Sequence, residues 1–273
     1  MENKTLNTYF ISNLKLLTIH LLVLFYSISC SNKNEETINE TENTKQSINP
    51  LFPNSIVSTE IDFIREMDKD VFESILFLGR EDKEMPDSRT DQLFDTDTFI
   101  FQVNFTEGNP IEIWAHSSFT TIEAAEEFAQ KIVHRLGKLP DFMRNNISHV
   151  VLHKGDATAF AEAAANFFVV YSENIDVRIS NNDFEETVFH ESVHATLDAI
   201  YLQNNQWTLA QQKDNAFITV FAENNPNKED LAETTLFVYT LINFPERLPD
   251  NVSAWMTANI ANKTDFITTT VFN

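Results

Sequence analysis

Residues 190–194 of the chain read His-Glu-Ser-Val-His. On a helix, His190 and His194 stand four positions apart, so their imidazoles leave one face about 6 Å apart along the axis. That spacing lets two ring nitrogens reach one Zn²⁺ at roughly 2.0–2.1 Å. Glu191 is then placed to take a proton from water that zinc has acidified towards a pKa of about 7. A catalytic zinc needs a third protein ligand and an open position. No histidine follows His194, and the run HESVHATLDAIYL contains no glycine turn, so the third ligand is expected to be a carboxylate further downstream. Asp198 lies one turn beyond His194 on the same face. A straight helix carries it too far from His190 to share the same metal, which leaves it an orienting or capping role. Glu229, Asp230 and Glu233 cluster in NKEDLAE near an expected helix start, with Glu229 and Glu233 on one face. The five-residue pattern alone also describes an ordinary surface helix, so its weight depends on the elements around it.

Those elements are legible in outline. Asp183 can cap a helix running to about Leu202, and Glu186 three residues later would complete a capping box. Phe189, Val193, Leu197 and Ile200 form an apolar stripe to anchor that helix. Upstream, residues 98–105 (TFIFQVNF) and 111–115 (IEIWA) flank the turn residues Gly108-Asn109-Pro110 and predict a hairpin. Residues 121–136 carry helical periodicity and end at Gly137. Residues 149–152, 166–172 and 176–180 are β-like. Helical spacing also marks 60–78, 207–223, 226–243 and 251–262, with a polar loop at 80–91. A strand-rich first half followed by a helical second half is an α+β pattern. With four glycines, Gly79, Gly108, Gly137 and Gly155, a dinucleotide fingerprint is excluded.

The motif His190-Glu191-x-x-His194, followed later by Glu229-Asp230-x-Ala232-Glu233, resembles the gluzincin branch of the zincin metallopeptidases. The Ala-Glu pair is similar to the lethal-factor-like part of that group. The resemblance implies a zincin-like fold, a small mixed sheet with an active-site helix, and makes Glu233 the third zinc ligand. Asp230 or Glu229 would then orient a histidine N–H. A ligand glutamate followed four residues later by aspartate, as in the thermolysin arrangement, is not present. Glu229 with Glu233 is its nearest imitation, and the choice between them stays open. Residues 136–233, with GKLPDFMR, VVLHKGD, FEETVFHESVHATLD and NKEDLAET, are also similar to bacterial zinc-peptidase lipoproteins of uncharacterised substrate. In zincins an edge strand before the metal helix pairs with extended substrate, which here points to 166–180. His153, at the end of a β-run, is a candidate to stabilise the oxyanion. Tyr171, Tyr201 and Tyr239 read as packing residues.

The amino terminus carries a separate signal. Lys4 and Lys15 precede the apolar run LLTIHLLVLFYSI (16–28), and small residues Ser27 and Ser29 lead into Cys30, the chain's single cysteine. This resembles a bacterial lipoprotein signal, with Ser27 where leucine is usual, and implies lipidation at Cys30 after removal of residues 1–29. Residues 30–55, rich in Asn, Glu, Thr and Ser, are expected to be a tether. Its acidic start resembles that of surface-exposed lipoproteins, implying a lipid-anchored place in the cell envelope with no other membrane contact. Residues 56–273 are expected to form one zincin-like domain.

Composition sets the outer bounds. The chain has 273 residues, 19 Lys and Arg against 41 Asp and Glu, and a formal charge of −22. Such acidity excludes a nucleic-acid binder, which needs a basic face. One cysteine excludes an internal disulfide. Twenty-four phenylalanines exclude a chain without a core. The expected activity is zinc-dependent hydrolysis of peptide or protein substrates with Glu191 as general base. The alternatives are a non-catalytic zinc-binding surface lipoprotein that binds a partner or glycan, and a metal-dependent hydrolase of a non-peptide amide.

Overall fold

The computed structural model describes residues 48–273. The signal segment, Cys30 and most of the expected tether lie outside the described residues. Strands β1 (Phe72–Glu84), β2 (Phe94–Phe105), β3 (Ile111–Ala115), β4 (His149–His153), β5 (Phe160–Glu162) and β6 (Phe167–Tyr171) form one open sheet in the order β1-β2-β3-β4-β6-β5. The expected hairpin is the β2–β3 pair, with Phe99 opposite Ala115 and Val103 opposite Ile111. β3, β4 and β6 run parallel to one another, while β1 and β5 pair antiparallel at the two edges. Parallel neighbours need a crossover, and α1 (Ile122–Gly137) with α2 (Asp141–Arg144) supplies it between β3 and β4.

Alternation along the strands sends side chains to two faces. Ile113, Val150, Leu152, Phe168 and Val170 enter the main core, shared with Ala129, Ile132 and Val133 of α1. Val151, Phe167, Val169 and Tyr171 point the other way and gather with Met85 in a smaller cluster. After β6 the chain is helical: α3 (Ser172–Ser180), α4 (Phe184–Tyr201), α5 (Asn205–Asp214), α6 (Val220–Asn224), α7 (Asp230–Asn243), α8 (Asp250–Asn259) and α9 (Ala261–Phe266). This is the mixed, segregated arrangement that the sequence pattern predicts. Among the described residues no helix is long and apolar enough to cross a membrane.

Several elements differ from expectation. Residues 60–78 are not a helix; a loop leads into β1, which also takes in residues 80–84 of the expected polar loop. Side-chain bonds to the backbone compete with helix there. Asp68 accepts from the Arg65 amide and from Arg247, Asp70 accepts from the Phe72 amide, and the Val71 amide donates to the Gly137 carbonyl. Residues 176–180 belong to helix α3, because Ser172 and Ile175 are the buried positions and Val177 is exposed. Burial at helical spacing overrode the alternation of Val177 with Ile179. The expected helix at 207–223 breaks where Asn215 adopts φ +48° and Thr219 caps α6. The helix expected from Pro226 begins at Asp230, after a turn in which the Glu229 amide donates to the Asn225 carbonyl. The helix expected at 251–262 is interrupted at Ile260, where α8 ends and α9 follows.

Two further differences bear on the site. β6 lies between β4 and β5, so the sheet edge is the short strand β5, not residues 166–180. Residues 48–55, expected to belong to the tether, are laid against the fold. Ile48 and Phe52 bridge to Ala216 and Thr219, and the Leu51 and Phe52 amides donate to the Ile218 carbonyl.

Candidate metal centre

Helix α4 carries the histidine pair through the middle of the molecule. Phe184, Val188, Phe189, Val193 and Leu197 bury it, while Ile200, expected in that stripe, is exposed. The capping box is absent. Asp183 makes no side-chain cap and instead accepts from Arg178 at 3.0 Å, and Glu186 is buried rather than turned back to the helix start. Core packing, not capping, fixes the helix.

His190 and His194 point their Nε2 atoms at each other, 3.1 Å apart. Glu229 closes the group, its Oε2 lying 3.1 Å from His194 Nε2 and 3.3 Å from His190 Nε2. Glu229 sits at the N-cap of α7, so the turn at 225–229 aims it across at α4. Ligands on a tetrahedron of 2.0–2.1 Å radius stand about 3.3 Å apart, close to these separations. Two imidazoles and a carboxylate converging on one point suit a divalent cation, and this is the group that could hold one among the described residues. The donor set of two nitrogens and one carboxylate oxygen fits zinc.

His194 has a carboxylate hydrogen-bonded to its other nitrogen, the arrangement that orients metal-binding histidines, and His190 has one near its other nitrogen without a hydrogen bond. His194 Nδ1 lies 2.7 Å from Asp198 Oδ2. His190 Nδ1 lies 3.5 Å from Glu233 Oε1. Glu233 is fully buried and accepts from Ser55 Oγ at 2.6 Å and from the Ile56 amide at 2.8 Å. It therefore lies behind His190, on the side away from Glu229. Asp230 does not approach either histidine. Its buried carboxylate accepts from Lys263 Nζ at 2.8 Å and from Gln211 Nε2 at 2.8 Å. His153 is on the face of the sheet that carries Val151 and Tyr171. There it meets the Pro86 carbonyl at 3.0 Å and stacks on Tyr171, away from the groove over the histidine pair.

The group is strongly polarised. Burial works against charge on His194, but hydrogen bonds to Asp198 and Glu229 outweigh it and push the imidazole up to about 10. Burial raises the Glu229 carboxyl, and the hydrogen bonds from His190 and His194 overcome this to hold it at about 2. Glu191 is driven upward by burial, against the attraction of both histidines. A buried carboxyl with a raised pKa is the form that can accept and return a proton.

A groove of about 780 Å³ opens over this group, with Glu191 and the histidines in its lining. Ala159, Phe160 and Ala161 of the β5 region line it together with Leu202 and Phe221, and Arg178 and Lys228 supply positive charge. Ser55, Ile56 and the β5 edge are contributors that sequence reasoning missed. Ser55 stands 178 residues from Glu233, and β5 is only three residues long, so neither leaves a local signal. No family model, curated protein or solved structure matches the chain.

Proposed function

We propose that this chain is a zinc-dependent peptidase of the gluzincin type, with His190, His194 and Glu229 as the metal ligands. The observation that carries the reading is the convergence of three donor atoms at 3.1–3.3 Å in a groove that also contains Glu191. On this reading Glu233, which the family resemblance makes a ligand, instead orients His190. Zinc bound here supplies Lewis acidity and makes water nucleophilic near neutral pH. Glu191 takes the proton of the attacking water and returns it to the leaving amine nitrogen. Asp198 keeps the proton of His194 on Nδ1, so that Nε2 is the free donor. An extended peptide is positioned by the outer edge of β5, whose backbone groups are open on the side away from β6, and by the apolar wall of Ala159, Ala161, Leu202 and Phe221. A lipid on Cys30 would hold this activity at the cell envelope.

The groove lining includes no tyrosine, and no histidine besides the pair, among the described residues. That favours, as the second reading, a zinc-binding surface lipoprotein that captures a peptide without cleaving it. One experiment separates the two. Purified protein is analysed for zinc and assayed on a broad peptide library alongside Glu191→Gln. The peptidase reading expects about one zinc per chain in both forms and a loss of roughly 10²–10⁴-fold in turnover in the variant. Zinc uptake with no cleavage would select the capture reading, and failure to take up zinc at neutral pH would sink both.

A further inference from the structure

The carboxylate of Glu233 poses a problem that α7 does not solve. It is fully buried, and the only basic side chain within 4 Å of it among the described residues is His190. A buried carboxylate needs hydrogen bonds to offset lost hydration. Both firm ones come from the segment before Ile56: the Ser55 hydroxyl donates to Oε1 at 2.6 Å, and the Ile56 amide donates to Oε2 at 2.8 Å. His190 Nδ1 is buried and makes no hydrogen bond of good geometry, its nearest carboxylate oxygen being the same Oε1 at 3.5 Å. The position of Oε1, and hence the partner available to His190, is thus set from Ser55.

The same segment is fastened on both sides. The Leu51 and Phe52 amides donate to the Ile218 carbonyl, and the Val220 amide donates to the Phe52 carbonyl. The Phe52 ring packs on Phe237, one turn beyond Glu233 on α7, with centroids 5.4 Å apart. Ile56 is buried in the main core, whereas Ser55 is half-buried at the groove.

We propose that residues 48–56 form a positioning strap for the metal centre. Ser55 Oγ and the Ile56 amide fix Glu233 so that its Oε1 stays the carboxylate oxygen facing His190 Nδ1, at 3.5 Å, and its charge favours the tautomer and ring orientation that turn Nε2 towards His194 and Glu229. This rests on the reading of that group as a zinc site. Ser55 is a positioning residue, acting on the ligand His190 through Glu233.

The test is zinc affinity of the full chain, measured by competition with a chromophoric chelator, for wild type, Ser55→Ala, Ser55→Thr and Glu233→Gln. The visible spectrum of the Co²⁺ form and the melting temperature of the metal-free form are recorded for each. An orienting carboxylate is worth about 10–100-fold in metal affinity. Glu233→Gln is expected to fall in that range, and Ser55→Ala about tenfold below wild type with an altered Co²⁺ spectrum. Ser55→Thr, which keeps the hydroxyl, is expected within about twofold of wild type, and the metal-free melting temperature of Ser55→Ala is expected to fall modestly, because the buried carboxylate loses one of its two donors. Wild-type affinity in Ser55→Ala, or equal losses in the alanine and threonine variants, would overturn the strap while leaving the zinc site standing. So would a Co²⁺ spectrum in Ser55→Ala identical to that of wild type. A wild-type chain that takes up no zinc would remove the site and the strap together.

Discussion

Glu229 and Glu233 are the same residue type four positions apart, yet they meet opposite ends of one imidazole. Glu229 Oε2 faces His190 Nε2 at 3.3 Å, and Glu233 Oε1 lies 3.5 Å from His190 Nδ1. Neutralising each should therefore have different consequences. Glu229→Gln removes a negative charge that contacts both histidines, and zinc affinity should fall by more than the roughly 100-fold ceiling of an orienting partner. Glu233→Gln should stay inside the range of about 10–100-fold. Chelator competition on the two variants measures the difference, and the reverse order would make Glu233 the ligand. The four-residue spacing of the histidines was enough to place their imidazoles together, because helix geometry alone dictates it. The roles of the three carboxylates were not readable in the same way. Glu229 precedes the first turn of α7, Asp230 is claimed by Lys263, and Glu233 is claimed by Ser55, and those partners are 33 to 178 residues distant.

At the scale of elements, what was legible had a strong local period or a turn signal. The β2–β3 hairpin, α1 and α4 are of this kind. Segments 60–78 and 176–180 misled because their apolar spacing admits two readings, and tertiary burial chose between them. The junction between α1 and β1 shows how tight that choice is. A methyl group on Gly137 would collide with Asp70 Oδ1 and approach the Phe72 amide nitrogen to 2.9 Å. Asp70 cannot retreat freely, since it accepts from the Phe72 amide at 2.8 Å and pairs with His134 at 2.7 Å. Alanine would gain up to about 1 kcal/mol of helix propensity. Overpacking at such a contact costs about 1–3 kcal/mol. Gly137→Ala should thus be net destabilising, by about 1–2 kcal/mol. A urea titration that found the variant as stable as wild type would show that β1 is not held against α1 through Asp70.

Among the buried titratable groups outside the metal centre, Glu186 and His149 tilt stability in opposite directions. Burial raises Glu186 from 4.5 to about 8, with added repulsion from Glu185 and Asp183 and only partial relief from backbone hydrogen bonds. Burial lowers His149 from 6.5 to about 4, helped by Lys83, in a slot between the Trp114 ring at 3.6 Å and the Phe167 ring at 4.4 Å. Between pH 4.5 and 8 the folded chain holds a proton on Glu186 that the unfolded chain releases, so stability falls as pH rises. Between pH 4 and 6.5 the unfolded chain binds a proton on His149 that the folded chain refuses, so stability rises with pH. The two slopes largely cancel from 4.5 to 6.5, and above 6.5 the metal-free folded chain holds protons on both Glu186 and His194 that the unfolded chain releases, so stability falls on both counts. At about 1.4 kcal/mol per pH unit for one proton, Glu186 should cost the metal-free protein about 2 kcal/mol between pH 6.5 and 8, and His194 about as much again. Urea midpoints at pH 5, 6.5 and 8 in the presence of a chelator measure this. Glu186→Gln should roughly halve the decline above pH 6.5, leaving the part that belongs to His194. His149→Phe should extend the decline down to pH 4.5 by removing the opposing slope. If Glu186→Gln left the alkaline decline intact, the loss would belong to His194 and to the general repulsion of a chain with 41 acidic residues.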